Sequence, residues 1–139
     1  MSPQEFIDQL LLACSDIDSD WKEHLDFWEG DTPGFYNDIS VIVHYVMSKY
    51  KQDDLRDFKD IAQVVERGLS SEVAKTSEIA LLGFLEGILF VGSHDDIRST
   101  DHKEWLGVHS YNELVCLESA FEELHNKSSK RDAASGAPS

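Results

Sequence analysis

The stretch EIALLGFLEGILFVG, residues 78–92, decides how this chain is read, because every residue from Ile79 to Gly92 is apolar or glycine except Glu86. A segment that is apolar all round belongs in a helix packed on several sides. The run falls short of the roughly 20 residues that a helix needs to span a bilayer. It is therefore expected to be the central helix of a folded domain. Residues 82, 83, 86, 87 and 90 share one flank of that helix, and Gly83 and Gly87 leave room beside the carboxylate. Glu86 is accordingly expected to be shielded and paired, with Arg67, a histidine, or a Trp or Tyr donor against it. One carboxylate alone does not make an acid/base pair.

Outward from this segment the chain punctuates itself. Ser2, Pro3 and Glu5 form a capping box with proline at the first helical position, so a first helix runs to about Cys14 with Phe6, Ile7, Leu10 and Leu11 inward. Ser15 and Asp18 repeat the spacing and open a second helix near residues 16–29, with Ile17, Trp21, Leu25 and Trp28 as its buried stripe and Gly30 as a left-handed stop. A third starts at Thr32 and Pro33 and carries Phe35, Ile39, Ile42, Val43, Val46 and Tyr50. The fourth begins at Asp53, with Leu55, Phe58, Ile61, Ala62, Val65 and Leu69 on one side. Ser70 or Ser71 opens the central helix. Residues 93–109 hold no sustained period and read as a loop docked by Trp105, Leu106 and Val108. Ser110 and Glu113 form another capping box before a last helix with Leu114, Leu117, Ala120, Phe121 and Leu124, ending near Asn126. The expectation is an all-α, single-domain bundle or orthogonal array of about six helices over residues 1–126. Residues 127–139 lack a hydrophobic face and read as a disordered, mobile tail.

Composition narrows the class of function. The chain has 139 residues, 41 % of them hydrophobic, and 27 Asp and Glu against 12 Lys and Arg give a formal charge of −15. Such a field repels a nucleic-acid backbone and attracts basic proteins. The N-terminal residues lack the positive leader of a secretory signal, so no export is expected. Cys14 and Cys116 fit no zinc or redox spacing and are read as a reduced pair in the cytoplasm.

Catalytic signals are sparse. His94, Asp95, Asp96, Asp101, His102, Glu104 and His109 are metal-binding and proton-moving types gathered in one loop. His94 and Asp95 form the doublet seen in the phosphohydrolases of the HD superfamily, but those enzymes set it within a helix and need further ligands. Glu122 and His125 give one ExxH, whereas a di-iron bundle needs two, with two further glutamates. No GxSxG, GxxxxGK[ST] or GxGxxG is present. No catalytic residue, metal or cofactor is expected.

The acids are more informative. Residues 16–31 hold Asp16, Asp18, Asp20, Glu23, Asp26, Glu29 and Asp31 against Lys22 alone. On a helical projection Asp16, Asp20, Glu23 and Phe27 lie together, with Asp31 just beyond the helix end. An aromatic ring within an acid face is a plausible docking surface for a basic protein; the plainer alternative is a solvated face with Phe27 tucked under a neighbour.

The order of DWKEHLDFWEG, DDLRDFKDIAQVVERGL, ALLGFLEGILF and a later WLG resembles a family of small bacterial helical domains of unknown function, over most of residues 6–124. Domains similar to these occur in toxin and immunity settings. The resemblance favours a structural Glu86. It also implies an immunity-type or antitoxin-like protein that occludes a basic partner such as a toxin nuclease. A nucleic-acid mimic or regulatory adaptor, and a metal-dependent hydrolase using residues 94–109, are the alternatives.

Overall fold

The computed structural model of the protein describes residues 1–135, with side chains through Lys127. Six helices make up the domain: α1 Pro3–Ala13, α2 Asp18–Phe27, α3 Phe35–Lys51, α4 Phe58–Leu69, α5 Ala74–Ser93 and α6 Val108–Ser135, with one short 3-10 turn at Ser99–His102. No strand occurs among the described residues. The fold is an all-α bundle, as the periodicities predict. Residues 136–139, the end of the expected tail, lie outside the described residues; α6 continues past Asn126 to Ser135.

The first capping box forms: Ser2 Oγ accepts the Glu5 N–H at 3.1 Å, and Glu5 accepts the Ser2 N–H. The second does not. The Ser15 hydroxyl and N–H both donate to Asp57 Oδ2, at 2.8 and 2.9 Å, and the Tyr45 hydroxyl reaches the same oxygen at 3.2 Å. Asp57 thereby ties the corner before α2 to α3 and α4, and α2 starts at Ile17 with no side-chain cap. The chain turns after α2 through Glu29 and Gly30, both at positive φ, which is the stop Gly30 predicts. Both α3 and α4 begin later than their sequence signals. Gly34 precedes α3, and residues 52–57 form a turn through Asp53 at φ 56° that leaves Leu55 exposed.

α5 is central as expected, touching α1, α3, α4 and α6. At 20 residues it has the length and composition of a membrane-crossing helix, yet 44 % of its most apolar window is buried in the domain. Residues Ile79–Leu85 adopt π geometry, and the Glu86 N–H donates to the Leu81 carbonyl five residues back. This wide turn has a purpose. Thr76, Ala80, Phe84, Ile88 and Gly92 are all buried and four residues apart. In a pure α-helix each step of four would rotate the line by about 40°. The wider turn slows that drift and keeps the line on the core.

Gly83 and Gly87 face α3, where an added Cβ would meet Ile39 Cγ2 at 2.8 Å and Val43 Cγ2 at 2.9 Å. The room they make is therefore filled by α3 and not by a partner for Glu86.

Three expectations at the C-terminal end are corrected. Val108 is 79 % exposed, and the loop is docked instead by Ser99, His102, Trp105 and Leu106. Ser110 forms no capping box: it lies inside the first turn of α6 with its hydroxyl buried and unbonded among the described residues. Its N–H goes to Glu66 of α4 at 3.2 Å. On α6, Leu114 is buried and Leu117 half-buried, but Ala120, Phe121 and Leu124 are exposed. The helix outruns the body it packs on, so Ala120 and Leu124 continue its apolar period onto open surface while Phe121 only borders a cleft against α5.

Candidate functional site

α2 lies lightly on the domain. None of its residues is fully buried, and it is held by Trp21, packed on the core, and by His24 Nε2, 2.9 Å from Asp38 Oδ1. Leu25, expected in the buried stripe, is 47 % exposed. A helix so loosely seated has only a narrow inner face, which rests on buried Ile17 and on Trp21, with Trp28 half-buried.

The acid face divides. Asp16 precedes α2 and is taken into an ion network, 2.9 Å from Arg56 and 3.4 Å from Lys49. Arg56 also holds Asp54 at 2.9 Å, which lowers that carboxyl to about 2. Asp20, Glu23 and Asp31 are exposed and meet no cation among the described residues. Phe27 is 79 % exposed, its ring edge-on to Trp28 at 5.8 Å between centroids. It is not tucked under a neighbour. Three unneutralised carboxylates thus accompany a protruding ring on and just after α2.

The loop of metal-type residues is dispersed by the fold. His102 is buried, accepts the Trp105 indole N–H on Nδ1 at 2.9 Å, and lies 5.0 Å from the Tyr50 ring. Burial pushes its pKa down to about 4, so it is a neutral packing residue. Asp95 pairs with Lys51, Asp101 accepts the Arg98 N–H, and His109 approaches Glu113. Glu118 on α6 receives both the Ser99 N–H and hydroxyl, at 2.9 and 2.8 Å. Among the described residues no three His, Cys, Asp or Glu side chains converge as a metal site.

One flank that the sequence groups, residues 82, 86 and 90, is expected to be covered and is instead open. A cleft of about 760 Å³ opens between α5, residues 96–98 and α6, walled by Leu82, Glu86, Phe90, Ile97, Glu118 and Phe121. Glu86 is half-buried in its wall, with no hydrogen bond or ion pair among the described residues. The expectation of a shielded, paired Glu86 is thus corrected: the π turn holds it in line with the exposed Leu82 and Phe90. The shared flank of 82, 86 and 90 is legible in the sequence, but its exposure is masked by the apolar character of the whole run.

Residues 7–130 match the model of a family described as a domain of unknown function, DUF7674. The chain belongs to that family. No curated protein and no solved structure matches it. In this DUF7674 domain the chemistry on display is that of carboxylates and exposed aromatic rings, which suits recognition of cations.

Proposed function

We propose that the protein is an immunity-type or antitoxin-like binding protein that neutralises a basic partner, such as a toxin nuclease, by occlusion in the cytoplasm. The observation that carries this reading is the exposed Phe27 beside the unpaired Asp20, Glu23 and Asp31. A rim of free charge steers a basic protein, and a protruding ring supplies the anchor that holds it. The formal charge of −15 supports the same reading. Asp16 contributes through the fold, since its charge is already matched by Arg56 and Lys49.

The test is binding kinetics with the partner recovered from the native cell, at two salt concentrations. Asp20→Lys with Glu23→Lys should slow association and flatten its salt dependence. Phe27→Ala should instead speed dissociation, at a cost of about 2 kcal/mol if the ring is seated in the complex. Wild-type kinetics in both variants would remove this face from the site.

A further inference from the structure

We infer that the exposed line Leu82, Glu86 and Phe90 of α5, with the clefts beside it, is a docking site for a cationic amphipathic helix of a protein partner. The inference rests on the reading of this domain as a binder of basic proteins, and adds a second contact surface with its own recognition chemistry.

Geometry supplies the first argument. Phe90 is 68 % exposed, Leu82 42 % and Phe121 40 %. The 760 Å³ cleft toward α6 and a smaller one of about 250 Å³ toward α3, which adds Tyr36, share Leu82, Gly87 and Phe90. Two exposed apolar side chains eight residues apart, with a carboxylate midway and a furrow on each side, suit an amphipathic helix that brings its own apolar stripe and a cation between. Contiguous exposed apolar surface of this kind marks an interaction site more often than a lone exposed leucine does.

Charge selects the occupant. Glu86 stands half-buried between Leu82 and Phe90 and makes no hydrogen bond or ion pair among the described residues, although its charge reaches the Tyr36 hydroxyl on α3. The one basic residue of the cleft, Arg98, is already matched by Glu122 and by Glu118 at 3.7 Å, while Asp96 adds another acid to the wall. A carboxylate in an apolar wall gains most from an incoming Lys or Arg that can hydrogen-bond it away from water. A second copy of the chain would bring acids onto acids between two molecules of formal charge −15, which disfavours it as the occupant.

The experiment uses the full chain and a fluorescent synthetic helix of Leu and Lys about five turns long, with a counterpart carrying Glu at the Lys positions, read by anisotropy at physiological salt. The Lys peptide should bind and the Glu peptide should not. Phe90→Ala and Glu86→Gln should each weaken binding about tenfold, whereas Asp20→Asn with Glu23→Asn should change it less than about twofold. Circular dichroism checks that each variant is folded, and Leu82→Ala serves as a second apolar variant. Equal binding by all variants would reduce the association to bulk charge and overturn the proposal. So would equal binding of the Glu peptide, or a wild-type dimer in sedimentation that Phe90→Ala dissolves. Loss of binding only in the Asp20 and Glu23 variant would assign the peptide to α2 and refute the α5 site without touching the proposed function.

Discussion

The carboxylate of Glu66, on α4, occupies the space that a Cβ on Gly107 would fill. From there it accepts the Ser110 N–H and places negative charge at the N-terminus of α6, where the helix dipole favours it. The two residues are 41 positions apart, and together they fix where α6 begins.

Gly107→Ala should therefore destabilise the domain by about 1–3 kcal/mol, because the added methyl displaces the capping carboxylate. Glu66→Ala alone should cost about 1 kcal/mol. In the double variant the two costs should fall short of their sum, as urea denaturation of all four proteins in a double-mutant cycle will show. Strict additivity would mean that the contact is incidental.

His102 makes stability depend on pH. Burial holds its folded pKa at about 4, below its ordinary value of 6.5. Between these values the unfolded chain binds a proton that the folded one does not, so stability should fall as pH drops from about 6.5 to about 4. At pH 5 this residue's share of the loss should be about 1–2 kcal/mol. It is isolated by comparing wild type with His102→Gln, which keeps an acceptor for the Trp105 indole N–H, at pH 7.5 and pH 5. An identical slope in the two proteins would assign the acid sensitivity to the carboxylates instead.

The two thiols should react at very different rates. Cys14 is buried, and burial followed by the nearby Asp57 charge pushes its pKa up to about 12, whereas Cys116 is exposed. The thiolate is the reactive form. One equivalent of a thiol reagent should couple quickly at Cys116, and the second only on unfolding. Rapid double labelling in the native state would contradict the packing around Cys14.

The stability that the sequence leads one to expect from Glu86 should be found at Asp57 instead. Asp57→Ala leaves Ser15 and Tyr45 donors without their common acceptor and should cost about 2 kcal/mol or more. Glu86→Ala removes no hydrogen bond and should shift stability by less than about 0.5 kcal/mol. Thermal melts of the two variants decide the order.

Local signals in this chain read well wherever the partner is local. Ser2, Pro3 and Glu5 announce α1 because the cap closes within four residues, and the stripes of α3 and α4 name most of the core residues that those two helices contribute. Ser15 and Ser110 misled for one shared reason. Each has the spacing of a cap, but its backbone N–H is claimed by an acid more than 40 positions away, Asp57 or Glu66. Leu25 and Leu124 continue a helical period past the edge of the surface beneath, which no periodicity reveals. For the candidate site, Asp20, Glu23, Phe27 and Asp31 were readable as exposed charge and ring. Asp16 was not separable from them until Lys49 and Arg56 were in place. The flank of 82, 86 and 90 on α5 was legible, but its exposure was not, because a run that is apolar all round does not show which face its neighbours leave uncovered.

The π turn of α5 couples two surfaces that would otherwise vary independently. Thr76 to Gly92 on the inside and Leu82 to Phe90 on the outside are held in phase by one widened stretch of helix. Deleting a single residue there would swing Phe90 by about 100° relative to Leu82 while turning Ile88 out of the core. Adaptation to a new partner is thus barred from re-aiming α5. It is confined to changing side chains at 82, 86 and 90, a three-letter address on a backbone that cannot rotate.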